Sequence, residues 1–133
     1  MTSKLALARE LMEKAGRACN SAAVLLELGD VDGATNRAYY AMFDAARAGL
    51  LILATDAESD LARSHSGLIG AFGSYLVKSG HVSKEHGRAL NRAHEIRMIA
   101  DYSGESVDAS YAEQMLIQAR EFVTEIRAKI NLD

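Results

Sequence analysis

Apolar positions recur along this chain at steps of three and four, the period of a helix face and not the alternation of a strand. The pattern predicts five helices. The first runs from Ser3 to Leu28, with Ser3 as N-cap, a stripe that includes Leu5, Ala8, Leu11, Met12, Ala15, Ala18, Cys19 and Ala22, and Gly29 as the terminating residue. The second spans Asp32 to Ala54, capped by Asp30 or Asp32. Its Ala34, Ala38, Ala41, Ala45, Ala48 and Gly49 form a stripe of small side chains that lets neighbouring backbones come close. Tyr39, Tyr40, Met42, Phe43, Leu50 and Leu53 add apolar bulk on more than one side, so this helix is expected at the centre of a bundle. Its internal charges, Arg37, Asp44 and Arg47, each need water or a partner.

The polar stretch TDAESD reads as a loop into a third helix over Leu61 to Lys78, with His65, Leu68, Ile69, Phe72 and Leu76 inside. Gly67, Gly70 and Gly73 within it mark either close approach or local weakness, and Ser79-Gly80 stops it. A fourth helix follows Ser83 from Lys84 to Asp101, with Leu90, Ala93, Ile96, Arg97 and Ala100 as its stripe. SGES turns the chain into a last amphipathic helix, Asp108 to Ile130, expected to bury Tyr111, Met115, Ala119, Phe122, Ile126 and Ile130. The expected fold is therefore all-α: an up-and-down bundle of four long helices with a fifth short or peripheral one, in a single domain over 1–133.

Composition sharpens this picture. With no proline among 133 residues, long uninterrupted helices meet no breaker. A net charge of −3 does not support DNA binding through a generally basic surface. No apolar run is long enough to span a membrane, and the N-terminus, with charges throughout, does not read as a signal peptide. Cys19, the single cysteine, is expected as a buried core thiol, and a cytoplasmic location is the simplest home for it.

Few residues carry obvious chemistry. His65, His81, His86 and His94 lack close metal-ligand spacing, so neither a metal nor a cofactor is expected. Arg97 and Asp101, four apart, share a helix face; from spacing alone they read as an intrahelical salt bridge with Tyr102 at the helix end. Arg88 and His94 are six apart, which helical geometry places well off one another's face. His65, on an apolar face, reads as a hydrogen-bonded core or interface histidine.

The stretch RAYYAMFDAARAGL, followed downstream by Arg97-Met98-Ile99-Ala100-Asp101-Tyr102, resembles the signature of HEPN domains, the higher-eukaryote and prokaryote nucleotide-binding family, most closely its short stand-alone prokaryotic branch. The likeness covers nearly the whole chain. It implies a homodimer that associates with a nucleotide or RNA, paired with a minimal nucleotidyltransferase in a toxin–antitoxin-like system. It also implies that Arg97, Asp101 and Tyr102 form the reactive or phosphate-facing motif, and that Arg37, Tyr40 and Arg97 frame a basic cleft. Active ribonucleases of the family carry R-x-x-x-x-H here. Tyr102 stands in the histidine's place, and a tyrosine near its reference pKa of about 10 is a poor proton shuttle at neutral pH. Binding without robust cleavage is therefore expected. The alternatives are a metal-independent ribonuclease toxin acting through Arg97 at a dimer interface, and a purely structural helical dimer.

Overall fold

The computed structural model describes residues 3–54 and 64–130. Helix α1 (Lys4–Glu27) starts where the Ser3 hydroxyl accepts from the Ala6 N–H at 3.0 Å. It ends at Gly29, whose φ of 84° only glycine adopts cheaply. Helix α2 (Val31–Leu53) is capped by Asp30, which accepts from Gly33 N–H at 2.9 Å. Asp32 does not cap the helix. Its carboxylate accepts from Val107 N–H at 3.1 Å and ties the entry to the last helix back onto the start of α2.

Helix α3 (His65–Ala71) begins at the Ser64 cap. The loop expected at TDAESD and the helix start expected at Leu61 lie outside the described residues. The apolar pattern continues the third helix to Lys78, but Phe72–Val77 widens into a π-helical turn, in which Lys78 N–H reaches back five residues to Gly73 C=O at 3.0 Å. The glycines account for this as weak helix formers, not as close contacts: a Cβ at Gly70 or Gly73 would meet no atom within 4 Å. Gly80, with φ 85°, closes the segment. Helix α4 (Lys84–Tyr102) follows the Ser83 cap, and α5 (Ala109–Ile130) follows the turn at Gly104. No strand occurs among the described residues.

The bundle is all-α, with α1, α2 and α5 packed most closely and α2 at the centre. Every member of the small-residue stripe of α2 is buried. At Gly49 the approach is tight: a Cβ there would lie 3.2 Å from Leu76 and 3.5 Å from Ile126. Phe72 stacks on Phe122 at 5.3 Å between ring centroids, joining the π-helical turn to α5. Cys19 is buried, and burial pushes its thiol pKa up, as an inert core thiol requires. Asp44 is buried as well. Burial raises its carboxyl pKa, while the positive charges of Lys14, Arg47 and Arg37 oppose the rise.

Two expected core positions are exposed instead. Leu5 sits in the first turn of α1, ahead of the first buried residue, Ala8. Tyr111 sits in the first turn of α5, where α4 and α5 are loosely packed, and its ring lies under the Arg92 guanidinium at 6.0 Å. No described helix is long and apolar enough to cross a membrane.

Candidate functional site

Helices α2 and α4 run antiparallel, so the start of α2 meets the end of α4. Asn36 Nδ2 donates to Asp101 Oδ2 at 3.3 Å, and the Arg97 guanidinium reaches the Tyr40 hydroxyl at 3.5 Å. This crossing brings the two halves of the sequence signature together across more than fifty residues of chain.

Arg97 is the centre of the assembly. Its Nε lies 2.8 Å from Asp101 Oδ2. The N–H does not point at the carboxylate, so the contact is an ion pair rather than an aligned hydrogen bond. Its guanidinium carbon is 5.6 Å from the ring centroids of both Tyr39 and Tyr40 and 5.9 Å from that of Tyr102. Three electron-rich rings and one carboxylate thus hold a side chain that is only 12% exposed, whereas Tyr102 is 70% exposed and forms the outer lip. Arg37 approaches Tyr40 as well, 5.9 Å from its centroid, so two guanidiniums share one tyrosine. The residues expected to act together, Arg37, Tyr40, Arg97, Asp101 and Tyr102, therefore do converge on one place.

The structure adds two imidazoles to the cluster: His94, three residues before Arg97 on the same helix, and His65, which no local spacing connects to it. His65, from the first turn of α3, places Nδ1 2.6 Å from the Tyr39 hydroxyl. Its ring stacks on Tyr39 at 5.6 Å, on His94 at 5.9 Å, and against Phe43 at 4.6 Å. The expectation of a hydrogen-bonded histidine holds for His65; its place beside Arg97 was not foreseen. The one signal in the sequence was a polar ring on an apolar helix face, which must find a partner. His94 Nδ1 is covered and lacks a hydrogen-bond partner among the described residues. Arg88 does not join His94. It lines a separate groove with Arg92, Ile96, Ile99 and Tyr111 on the other side of α4.

Burial shifts the proton affinity of two groups in this cluster. Burial drives the Tyr39 pKa far up, an effect that the Arg97 charge only partly offsets, so the hydroxyl keeps its proton. Burial, then the Arg97 charge, then that of His94, hold the His65 pKa below its ordinary value. The Tyr39 hydroxyl and His65 Nδ1 share one short hydrogen bond, whose direction depends on the imidazole tautomer. Among the described residues, no three His, Cys, Asp or Glu side chains stand close enough to hold a metal.

Known proteins resemble this chain over most of its length. The chain is 33% identical over 112 residues to a UPF0332 protein of Gloeobacter violaceus, spanning 84% of this chain and 85% of that one. It is 32% identical over 117 residues to a Methanocaldococcus jannaschii protein whose name proposes a toxin, spanning 88% and 84%. A UPF0332 protein of Thermotoga maritima is 38% identical over 100 residues, spanning 74% and 71%. The HEPN domain family matches residues 8–129, from early in α1 to the last turn of α5, so that the whole bundle and the Arg97 cluster lie inside the match: the chain belongs to the HEPN domain family.

Proposed function

We propose that this HEPN protein binds a nucleotide or RNA through Arg97, as one member of a toxin–antitoxin-like pair whose other member is a minimal nucleotidyltransferase. The observation that carries the reading is the Arg97 cradle. Asp101 and the tyrosines hold the guanidinium in one orientation, and an oriented planar fork can meet a phosphate with two parallel hydrogen bonds. Tyr102, exposed beside it, offers a face for a base or ribose. The toxin suggested by the name of the M. jannaschii relative supports the pairing. The exposed Met98, Ile99 and Tyr102 at the end of α4 form an apolar surface suited to a homodimer contact beside the cradle.

The test is binding of RNA and of mononucleotides by wild type and Arg97→Ala. Binding is expected to fall; because Arg97 is only 12% exposed, a stability loss of roughly 1–3 kcal/mol is expected alongside, and binding is compared on the folded protein. Equal binding by both proteins would end the proposal. Sedimentation is expected to report a dimer.

A metal-independent endoribonuclease is the second reading, and one observation favours it: His94, with its unpartnered Nδ1, stands in the same cluster as Arg97 and supplies an imidazole that the linear motif lacks. Chelator-resistant cleavage of RNA, lost in Arg97→Ala and in His94→Ala, would establish this second reading over the first.

A further inference from the structure

Helix α4 contributes little of its surface to the bundle: of its 19 residues, only Leu90 and Ala93 are buried. Its outer face and the chain entering α5 form the walls of the groove around Arg88, which has a volume of about 750 Å³. Ile96, Ile99 and Tyr111 line it, and Ile99 and Tyr111 are exposed although each is largely apolar. Four charged side chains line it as well: Arg88, Arg92, Glu95 and Asp108. Among the described residues none of the four belongs to an ion pair, the pairs there being Arg97–Asp101 and Lys129–Glu125. Two of the four are positive and two negative, so the groove as a whole is neutral.

The charges are sorted along the groove. Arg88 and Arg92 lie in the first half of α4, and Glu95 follows about one turn later. Asp32 ties Val107 to the start of α2, which meets the end of α4, so α5 starts beside that end. The Arg92 guanidinium over the Tyr111 ring sets the level, and Asp108, three residues before Tyr111, falls about 5 Å closer to the end of α4. The basic half of the groove is thus followed by an acidic half. A ligand of one sign would be attracted by one half and repelled by the other. A second copy turned end for end meets the opposite sign in both halves, as a two-fold contact between identical surfaces requires. Resting on the reading of the chain as a homodimer, we infer that the second copy packs into this groove, α4 antiparallel to α4, with Arg92 facing Glu95 and Arg88 facing Asp108 across the two-fold axis. Position 92 opposite 95 brings 88 opposite 99, so the aliphatic stem of Arg88 covers Ile99 of the second copy while its guanidinium reaches Asp108. Each pair occurs twice by symmetry, and all the groove charges gain partners. Burial of Ile99 and Tyr111 supplies affinity, and the charges fix the register. Ile99 also belongs to the apolar surface at the end of α4, so the two form one continuous contact.

The test is sedimentation of the full chain and of charge-reversed variants. Arg92 and Glu95 are both exposed, so their reversal leaves the core intact, and circular dichroism is expected to match wild type. Arg92→Glu sets acid against acid at two points of the contact, and Glu95→Arg sets base against base. Each is expected to weaken dimerisation roughly tenfold to a hundredfold. An equimolar mixture of the two variants restores opposite charges at both points and is expected to dimerise as wild type does; so is the double variant R92E/E95R. Recovery in the mixture cannot come from a pair within one chain, which separates this contact from an intrahelical Arg92–Glu95 pair. Asp108 is left unchanged because its Oδ1 accepts from the Ser110 N–H and hydroxyl, at 2.9 and 3.0 Å, at the start of α5. Single variants as dimeric as wild type would overturn the groove contact and leave the homodimer reading standing. Dissociation of both variants without recovery in the mixture would overturn the register, and the groove contact with it. A wild type that stays monomeric at tens of micromolar would remove the homodimer reading on which the contact rests.

Discussion

The two sides of α2 are built from different material. Towards α1 and α5 it presents alanines, and at Gly49 both α5 and the π-helical turn close onto it until little space remains, with Ile126 and Leu76 within 3.5 Å of where a Cβ would lie. Towards α3 and α4 it presents Tyr39, Tyr40, Phe43 and Arg37, met by His65, His94 and Arg97. The first side is close-packed and apolar, with few groups able to titrate. The second is aromatic and charged, includes a π-helical turn and opens into grooves. One helix thus separates the part of the molecule that supplies stability from the part able to contact a ligand, and substitutions on the two sides should register in different measurements.

The largest test of that division is Phe122→Ala. Phe122 is fully buried, stacks on Phe72 and has His86 edge-on at 5.6 Å, so its loss is expected to cost about 3–5 kcal/mol in urea denaturation. A cost near that of a surface change would mean that the packed interior around α5 does not carry the stability. Gly49→Val follows, overpacking the tightest approach by roughly 1–3 kcal/mol with nucleotide binding intact in the folded fraction.

On the other side of α2 the readout is binding. Arg97→Lys is expected to lose nearly as much RNA affinity as Arg97→Ala, on the order of tenfold to a hundredfold, because an ammonium cannot reproduce the oriented fork. Full rescue by lysine would reduce the cradle to a simple positive charge.

A smaller effect comes from pH. The folded His65 pKa lies below its unfolded value near 6.5, so the unfolded chain takes up the proton first as pH falls. The stability that neutral His65 contributes is complete above that unfolded value and is lost as pH falls through the window between the two. Denaturation midpoints are therefore expected to drop on going from about pH 7 to about pH 5, and to drop less in His65→Asn. Asp44 acts in the opposite direction. Its raised pKa lets the folded state hold a proton longer than the unfolded chain, which favours folding towards acid, so the comparison with His65→Asn isolates the imidazole. The smallest expected change is Lys129→Ala on α5. It removes only the exposed pair with Glu125 at 3.8 Å, and a shift beyond about 0.5 kcal/mol would contradict its surface role.

Helix boundaries were legible because their causes are local. Ser3, Asp30 and Ser83 each bond an N–H three residues ahead, and Gly29 and Gly80 adopt the positive φ that ends a helix cheaply. The buried stripe of α2 was legible for the same reason, since helical periodicity alone puts its alanines on one face. Tyr111 and Leu5 fit the same periodicity yet stayed outside, because a pattern states which residues share a face but not whether a neighbouring helix reaches the end of it. The π-helical turn was foreshadowed only as close approach or local weakness at Gly67, Gly70 and Gly73; its Phe72 and Leu76 are buried in the core.

What the sequence by itself determined, then, is the all-α architecture, the central place of α2, and the membership of Arg97, Asp101 and Tyr102 in one short helical motif, all of which depend on residues within a few turns of one another. Only the tertiary structure decided that Arg37 and Arg97 share Tyr40, and that His65 bonds Tyr39 and stacks on His94 beside Arg97. These contacts join α2, α3 and α4 across long stretches of chain. Their geometry follows from how the helices cross, and the crossing is set by the summed packing of the whole bundle, a quantity that no local spacing contains.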